Sequence, residues 1–406
     1  MRILLAHNFY QQPGGEDQVF AAEAGVLEEH GHTVVRLTRD YADLTRMNKA
    51  AVARASVWNG EVFRQVREII RREDIEVAHF HNTFPLLSPA AYYAARAEGV
   101  PVVQTLHNYR LVCPGALLYR EGRVCEDCLG RAVPWPGIAH SCYRGSRVQT
   151  GALAGMLSLH RLMGTWSRRV DVYVALTEFA RGKFIAGGLP PHKVVVKPNF
   201  TGHDPGIGLG EGGFALFVGR ITSDKGVQVL VDAWRRLGGS VPLKIAGDGP
   251  MLNSLSEQVR EMPGVELLGK CSREDVLRLM KAARVLLVPS LWYEGFPMTI
   301  IEAYSCGLPV IASDLGSLSS VVPHEHNGFL FTPGDAEALA NSVQRAFAQP
   351  AQLRSMRENA RRTYERRYTP EQGYADLLSL YQKAGKTRDA GVHQELKAAL
   401  NSGADR

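Results

Sequence analysis

The chain has 406 residues, 45% of them hydrophobic and 22% charged, with a formal net charge of +6 and a pI near 9.0. That composition belongs to a globular protein with core enough for one very large or two ordinary domains. No basic block or arm gathers the positive charge, so anionic small molecules or an anionic membrane surface are the expected partners, and nucleic acid is not.

Arg2 to His7 reads as the first strand, an apolar run too short for a signal peptide. No stretch reaches the ~18 apolar residues of a membrane span. The cytoplasm is therefore the expected compartment. Asn8 to Glu16 forms a loop carrying Pro13-Gly14-Gly15, and a helix from Asp17 to His30 follows, stopped by Gly31. His32 to Leu37 is the second strand. Strand, glycine loop, helix and strand open a doubly wound α/β sheet, whose ligands lie outside the carboxyl ends of the strands. Gly14 and Gly15 would let backbone N–H groups approach a diphosphate. They lack the spacing of a dinucleotide fingerprint, and a plain glycine turn reads the same way.

A helix from Gly60 to Arg72 leads to the strand Ile75 to His81. The next helix runs from Ser88 to Glu98, with Ser88 as cap and Pro89 in the first turn. The strand Val100 to Leu106 ends in His107-Asn108. An imidazole at the carboxyl end of a parallel strand stands at the mouth of the sheet. There it can bind a substrate hydroxyl or move a proton, and a structural histidine is the plainer alternative.

Cys113, Cys125, Cys128 and Cys142 form a C-x11-C-x2-C-x13-C array in a long irregular segment. Four thiolates can close a tetrahedral zinc site and order a loop of this length. An iron–sulfur centre or free thiols fit the same spacing. A closed four-thiolate site has no open position, so no catalytic role is assigned to it. Arg147 to Arg169 reads as one amphipathic helix, facing either the domain core or a lipid surface. Asp171 to Leu176 is a strand, Thr177-Glu178 opens a helix, and Val194 to Val196 is a short strand.

Thr201 to Gly213 holds Gly202, Gly206, Gly208, Gly210, Gly212 and Gly213 with Pro205, the composition of a linker at a domain boundary. Phe214 to Val218 starts a second sheet. Gly219-Arg220 and Lys225-Gly226 follow, ahead of a helix from Val227 to Leu237. Two cations beside a helix start suit a diphosphate, with a solvated charged loop as the alternative. Strands at Leu243 to Ala246 and Val265 to Leu268 end in Gly247-Asp248-Gly249-Pro250 and Gly269-Lys270. A helix from Ser272 to Ala282 precedes the buried strand Val285 to Val288. After a loop, Gly295-Phe296-Pro297 opens a helix from Met298 that stops at Gly307, with Pro297 placed in its first turn. Glu294 stands on the loop and Glu302 in the second turn. The helix tip suits a phosphate. The flanking carboxylates would repel one, so they are expected to accept hydrogen bonds from sugar and ribose hydroxyls. An ordinary strand-loop-helix with two surface glutamates is the alternative. Strand and helix alternate as far as Phe329, and helices fill Ala336 to Tyr364 and Pro370 to Lys383 before a polar tail.

Glu294-Gly-Phe-Pro-Met-Thr-Ile-Ile-Glu302, taken with Gly219-Arg220, Lys225-Gly226, Gly247-Asp248-Gly249-Pro250, Gly14-Gly15 and the strand ending in His107, resembles the retaining nucleotide-sugar glycosyltransferases of family four, the group 1 glycosyltransferases. The resemblance spans nearly the whole chain. It implies an α/β GT-B fold of two Rossmann-like domains facing across a cleft. Residues 1–200 would form the acceptor domain, with a Cys-rich insertion at 108–146. Residues 201–369 would form the donor domain, 370–385 a helix crossing back, and 386–406 the polar tail. It implies that Arg220 and Lys225 neutralise the diphosphate, Glu302 holds the ribose and Glu294 the donor sugar. Backbone around Gly295, Phe296, Pro297, Met298 and Thr299 would contact phosphate, Gly14 and Gly15 would complete the site, and Gly219, Gly247 and Lys270 would belong to it. His107 would lie beside the reacting sugar.

The implied reaction is retaining transfer of a sugar from a UDP- or GDP-linked donor to a glycan or polyprenol-linked acceptor in surface-polysaccharide assembly. No catalytic metal is expected and structural zinc is. Peripheral contact with the inner face of the membrane is expected as well. A catalytically silent binding subunit, or a sugar phosphorylase or epimerase on the same fold, are the rival readings.

Overall fold

The computed structural model describes residues 1–11 and 14–403, so Pro13 of the glycine loop lies outside the described residues. Two six-stranded parallel sheets carry the fold. The first half of the chain supplies β1 (Arg2–Asn8), β2 (Thr33–Arg39), β3 (Val77–Phe80), β4 (Val102–Leu106), a small antiparallel hairpin of β5 (Tyr119–Arg120) and β6 (Arg123–Val124), then β7 (Val172–Ala175) and β8 (Val194–Val196). Outside the hairpin these strands form one sheet in the order β2-β1-β3-β4-β7-β8. The second half supplies β9 (Ala215–Val218), β10 (Leu243–Ala246), β11 (Val265–Gly269), β12 (Val285–Val288), β13 (Val310–Ser313) and β14 (Gly328–Phe331), ordered β11-β10-β9-β12-β13-β14.

Parallel strands need both faces covered, and the sequence complies. Every residue of β3, β4, β7, β12 and β13 is buried. One face of the first sheet packs Leu4, Ala78, Phe80 and Val102 against Val66, Ile70, Ala91 and Tyr92 of neighbouring helices. The other face packs Ile3, Leu5 and Val77 against Phe20 and Leu27, and against Leu377, Leu380, Tyr381 and Ala384 of the last helix. That last helix, from the end of the second half, thus lies on the first sheet. Tyr381 Oη stands 3.0 Å from His79 Nδ1.

Several elements differ from the sequence reading. The helix from Arg147 breaks after Leu162, because Gly164 adopts a left-handed conformation (φ 70°) and caps a second short helix, Thr165–Arg168. Two helices, Tyr41–Thr45 and Lys49–Val57, occupy a stretch that pattern reading left unassigned; the Asn48 side chain caps the second by accepting from the Ala51 N–H at 2.8 Å. The glycine-rich linker is laid along the second domain. The N–H groups of Gly208, Gly210 and Gly212 donate to the carbonyls of Cys306, Lys281 and Ala282. The last helix runs on to Gly403, past the expected end at Lys383 and through most of the expected tail. Pro297 is the N-cap of the helix Met298–Ser305, one position before its first turn. Among the described residues no helix is long and apolar enough to cross a membrane.

Candidate active site

Each sheet has one point where the strand order reverses. In the first, β2 lies on one side of β1 and β3 on the other; in the second, β10 and β12 flank β9 in the same way. Loops leaving such strands diverge and open a crevice at their carboxyl ends. The two crevices face one another across a cleft of about 880 Å³ lined by both halves of the chain. From the first half come Gly14, Gly15, Glu16, His107 and Arg110. From the second come Gly219, Arg220, Lys225, Glu294 to Thr299 and Glu302. Of the residues singled out from sequence for the donor site, Gly247 and Lys270 do not line it. A Cβ on Gly247 would lie 1.8 Å from the Gly219 carbonyl oxygen, so this glycine is there to let two loops close on each other. Lys270 is exposed after β11, the edge strand, two places along the sheet from β9.

The second-half wall is built around Glu294, which is 4% exposed. Its Oε1 accepts from Lys225 Nζ at 2.6 Å, Ser290 Oγ at 2.6 Å and Trp292 Nε1 at 3.1 Å. A short turn, Ser223–Lys225, delivers the lysine. Gly226 closes this turn with φ 72°, at a place where a Cβ would sit 1.8 Å from the Pro289 carbonyl oxygen. Lys225 Nζ also lies 5.5 Å from the Trp292 ring centre. Arg220 is exposed and makes no ion pair among the described residues. Glu302 is buried, with Arg273 Nη2 3.8 Å away; burial pushes its carboxyl up and Arg273 opposes that. The helix Met298–Ser305 points its N-terminal turn at the cleft, where unpaired N–H groups and the dipole favour an anion.

The first-half wall holds a buried polar chain that sequence reading missed except for its end. His107 Nε2 lies 2.9 Å from His81 Nδ1, with the rings stacked at 5.1 Å. His81 Nε2 lies 3.3 Å from Glu23 Oε2, and Lys197 Nζ donates to Glu23 Oε1 at 2.7 Å. Burial, then the neighbouring His81, holds His107 well below the ordinary histidine range. It is a neutral imidazole whose Nε2 is engaged inward. The glycine loop is fixed by Asp17, which accepts from the Gly14 N–H and lies 2.7 Å from His7 Nε2. Glu16, beside it, is half-buried. Burial and Asp17 push its carboxyl up to about 8, against Arg110 and Tyr10. A Cβ on Gly15 would lie 3.1 Å from Met298 Cγ, so the two walls nearly touch at this point. The pattern His79-x-His81-Asn82 at the end of β3 was the available signal for the buried chain. Tyr10 and Glu16 had none beyond lying near a glycine loop, and Arg110 none beyond lying three residues after His107.

The four cysteines are free thiols of one segment. Burial pushes the Cys128 thiol up to about 12, and the neighbouring Cys113, Cys142 and Cys125 push the same way. Among the described residues the group of three or more potential ligand atoms all within 4.8 Å of one another is Glu23, His79 and His81, so no three of the four sulfurs come that close together. Lys197 already supplies the counter-charge to Glu23. The cysteine segment also reaches the second domain, where Tyr293 Oη donates to Glu126 Oε1 at 2.9 Å, one residue from Glu294.

Two Rossmann-like domains with their switch points opposed, and cations, carboxylates and a helix tip between them, define a protein of GT-B type. Residues 13–204 match the model of glycosyltransferase family 4, and residues 208–363 match that of glycosyl transferases group 1. The two matches take the domains in turn, so each half of the chain is similar to a glycosyltransferase domain. It is 30% identical over 174 residues to an uncharacterized glycosyltransferase of Methanocaldococcus jannaschii, covering 42% of this chain and 44% of that one. It is 29% identical over 179 residues to an amylovoran biosynthesis glycosyltransferase of Erwinia amylovora, covering 41% and 44%. The chain thus spans less than half the length of these relatives. Among solved structures it resembles Anabaena HepE in complex with UDP, with a TM-score of 0.63, 18% identity, and coverage of 96% and 100%.

Proposed function

We propose that the protein transfers a sugar, with retention, from a nucleoside-diphosphate sugar to a glycan or lipid-linked acceptor in surface-polysaccharide assembly. One observation carries the reading. Arg220, Lys225, the tip of the helix Met298–Ser305, Glu294 and Glu302 converge on one cleft that also holds His107. Arg220 and Lys225 stabilise the charge that develops on the departing diphosphate, which is where a fixed cation contributes most. Glu302 accepts from ribose hydroxyls and Glu294 from hydroxyls of the donor sugar. The polysaccharide assignment rests on the Erwinia relative's name, and nucleotide-sugar binding on the UDP complex of HepE.

The geometry favours attack from the face the diphosphate leaves, with a leaving phosphate oxygen taking the acceptor proton. The rival route needs a carboxylate nucleophile, and Glu294 is a poor one. One oxygen already carries a lysine, a hydroxyl and an indole N–H. His107, neutral and anchored through Nε2, offers Nδ1 to a sugar hydroxyl.

The cysteine set fits structural zinc by its donor chemistry, four soft sulfurs on one segment. Bound metal would fix Glu126 against Tyr293 and so steady the loop that carries Glu294. About one zinc per chain by elemental analysis is the expected result; metal-free protein of full stability would reject it. Contact with a membrane surface is supported by one face of the helix Arg147–Leu162, where Val148 is 83% and Leu162 87% exposed, with Arg144 and Arg147 beside it.

The test is release of nucleotide from a panel of UDP- and GDP-sugars, with and without acceptor. Turnover of one donor is expected. No turnover of any, with intact folding, would favour the silent-subunit reading.

A further inference from the structure

A second concavity of about 470 Å³, mostly apolar, opens from the reaction cleft on the first domain. It lies between the helix Lys49–Val57, which presents Ala50, Val52 and Ala53, and the helix Arg147–Leu162, which presents Val148, Ala152 and Leu153. The cleft and the groove share Leu44, Phe84, Pro85, Tyr143 and Arg144 as a common wall. That neck is chemically distinct. The Phe84 and Tyr143 rings meet edge to face at 5.9 Å, and the Arg110 guanidinium lies 5.0 Å and 5.2 Å from their centres. Arg144 stands over Tyr143 at 5.4 Å. Arg110 Nε is buried with no partner among the described residues. Beyond the neck, Val148 begins the exposed apolar face that continues to Leu159 and Leu162.

Cleft, cationic neck, apolar groove and exposed apolar face follow one another in that order. An amphiphile with a sugar, a phosphate and a hydrocarbon chain has the same order of parts. We propose that the groove holds the hydrocarbon chain of the acceptor, and that Arg110 and Arg144 hold the phosphate joining it to the sugar. This rests on the transferase reading above and adds to it the acceptor's chemical class. The small side chains Ala50, Ala53 and Ala152 make the room, and larger ones there would close it. The apolar face running on from Val148 is the side from which a chain embedded in a lipid surface would enter.

The test uses the full chain and three probes: farnesyl phosphate, farnesol and inorganic phosphate. Binding is measured by calorimetry. Farnesyl phosphate is expected to bind at least roughly tenfold tighter than either fragment, since only it fills both groove and neck. Ala53→Trp, and Ala152→Trp at the solvent-exposed rim where folding is not at stake, should each weaken it at least roughly tenfold. Arg144→Gln should weaken farnesyl phosphate and leave farnesol unchanged. Both tryptophan variants, which lie outside the reaction cleft, should release nucleotide from donor in the absence of acceptor at the wild-type rate. Equal binding of farnesyl phosphate and inorganic phosphate, or wild-type binding in both tryptophan variants, would overturn the assignment. Farnesyl phosphate binding with the expected variant pattern, in a protein that turns over no donor, would leave the groove standing and remove the transferase reading.

Discussion

Replacing Lys225 with methionine keeps the length of the side chain and removes its charge. Lys225 Nζ is 2.6 Å from Glu294 Oε1, and their side chains are 25% and 6% exposed. Two separable losses follow. The first is catalytic: a fixed donor aimed at developing charge in a site shut off from water is worth about 2.7–4 kcal/mol, or 10²–10³ in kcat. Because Lys225 is a quarter exposed, the lower end, about a hundredfold, is expected. The second is structural. Glu294 keeps Ser290 and Trp292 but loses its counter-charge. One charge-assisted hydrogen bond, discounted for solvent at the lysine, corresponds to about 1–2 kcal/mol and a melting temperature lower by a few degrees. Adding Glu294→Gln removes the uncompensated carboxylate, so the double variant should regain most of the melting temperature and none of the turnover. Nucleotide release at saturating donor and a thermal melt measure the two. Turnover in Lys225→Met within about threefold of wild type would refute the phosphate assignment. A double variant no more stable than Lys225→Met would refute the pairing energetics.

His81→Asn cuts the anchor of His107 without touching the cleft surface; kcat should fall roughly tenfold or more while the donor KM stays put, as expected of a positioning residue. A rise in KM alone would contradict that role. Glu16 has a carboxyl raised from 4.5 to about 8 in the folded chain. A raised acid is most stabilising below its unfolded value and loses that contribution as pH rises toward 8. The stability of Glu16→Gln relative to wild type should therefore increase between about pH 4.5 and 8, as followed by urea unfolding; a pH-independent difference would reject the shift. Gly15→Val places a side chain where Met298 Cγ is 3.1 Å from even a Cβ, and should raise the donor KM several-fold. Met298→Ala in the same chain should restore it, and failure of that rescue would show that the two walls need not approach.

The sheets were legible because parallel strands buried on both faces are continuous apolar runs. Val285–Val288 and Leu243–Ala246 could be placed to the residue. Glu294 and Glu302 were legible because their spacing straddles a helix start. Their partners were not. Lys225 lies 69 residues from Glu294 and Lys197 lies 174 from Glu23, and only the fold brings each pair together. The helix Lys49–Val57 escaped notice because Ala50, Ala51, Ala53 and Ala55 give it little amphipathic contrast. Gly247 looked like a ligand contact because glycine loops near phosphates and glycines forced by loop packing have the same sequence. At Lys270, a cation following a strand is no guide to how far along the sheet that strand lies from the switch point.

A crystal structure with a non-hydrolysable nucleotide sugar is the most direct measurement. The diphosphate should lie within hydrogen-bond distance of the Arg220 guanidinium, Lys225 Nζ and the N–H of Met298 or Thr299, with Glu302 on the ribose and Glu294 on the sugar. A nucleotide bound away from these groups, with both glutamates free of its hydroxyls, would contradict the account.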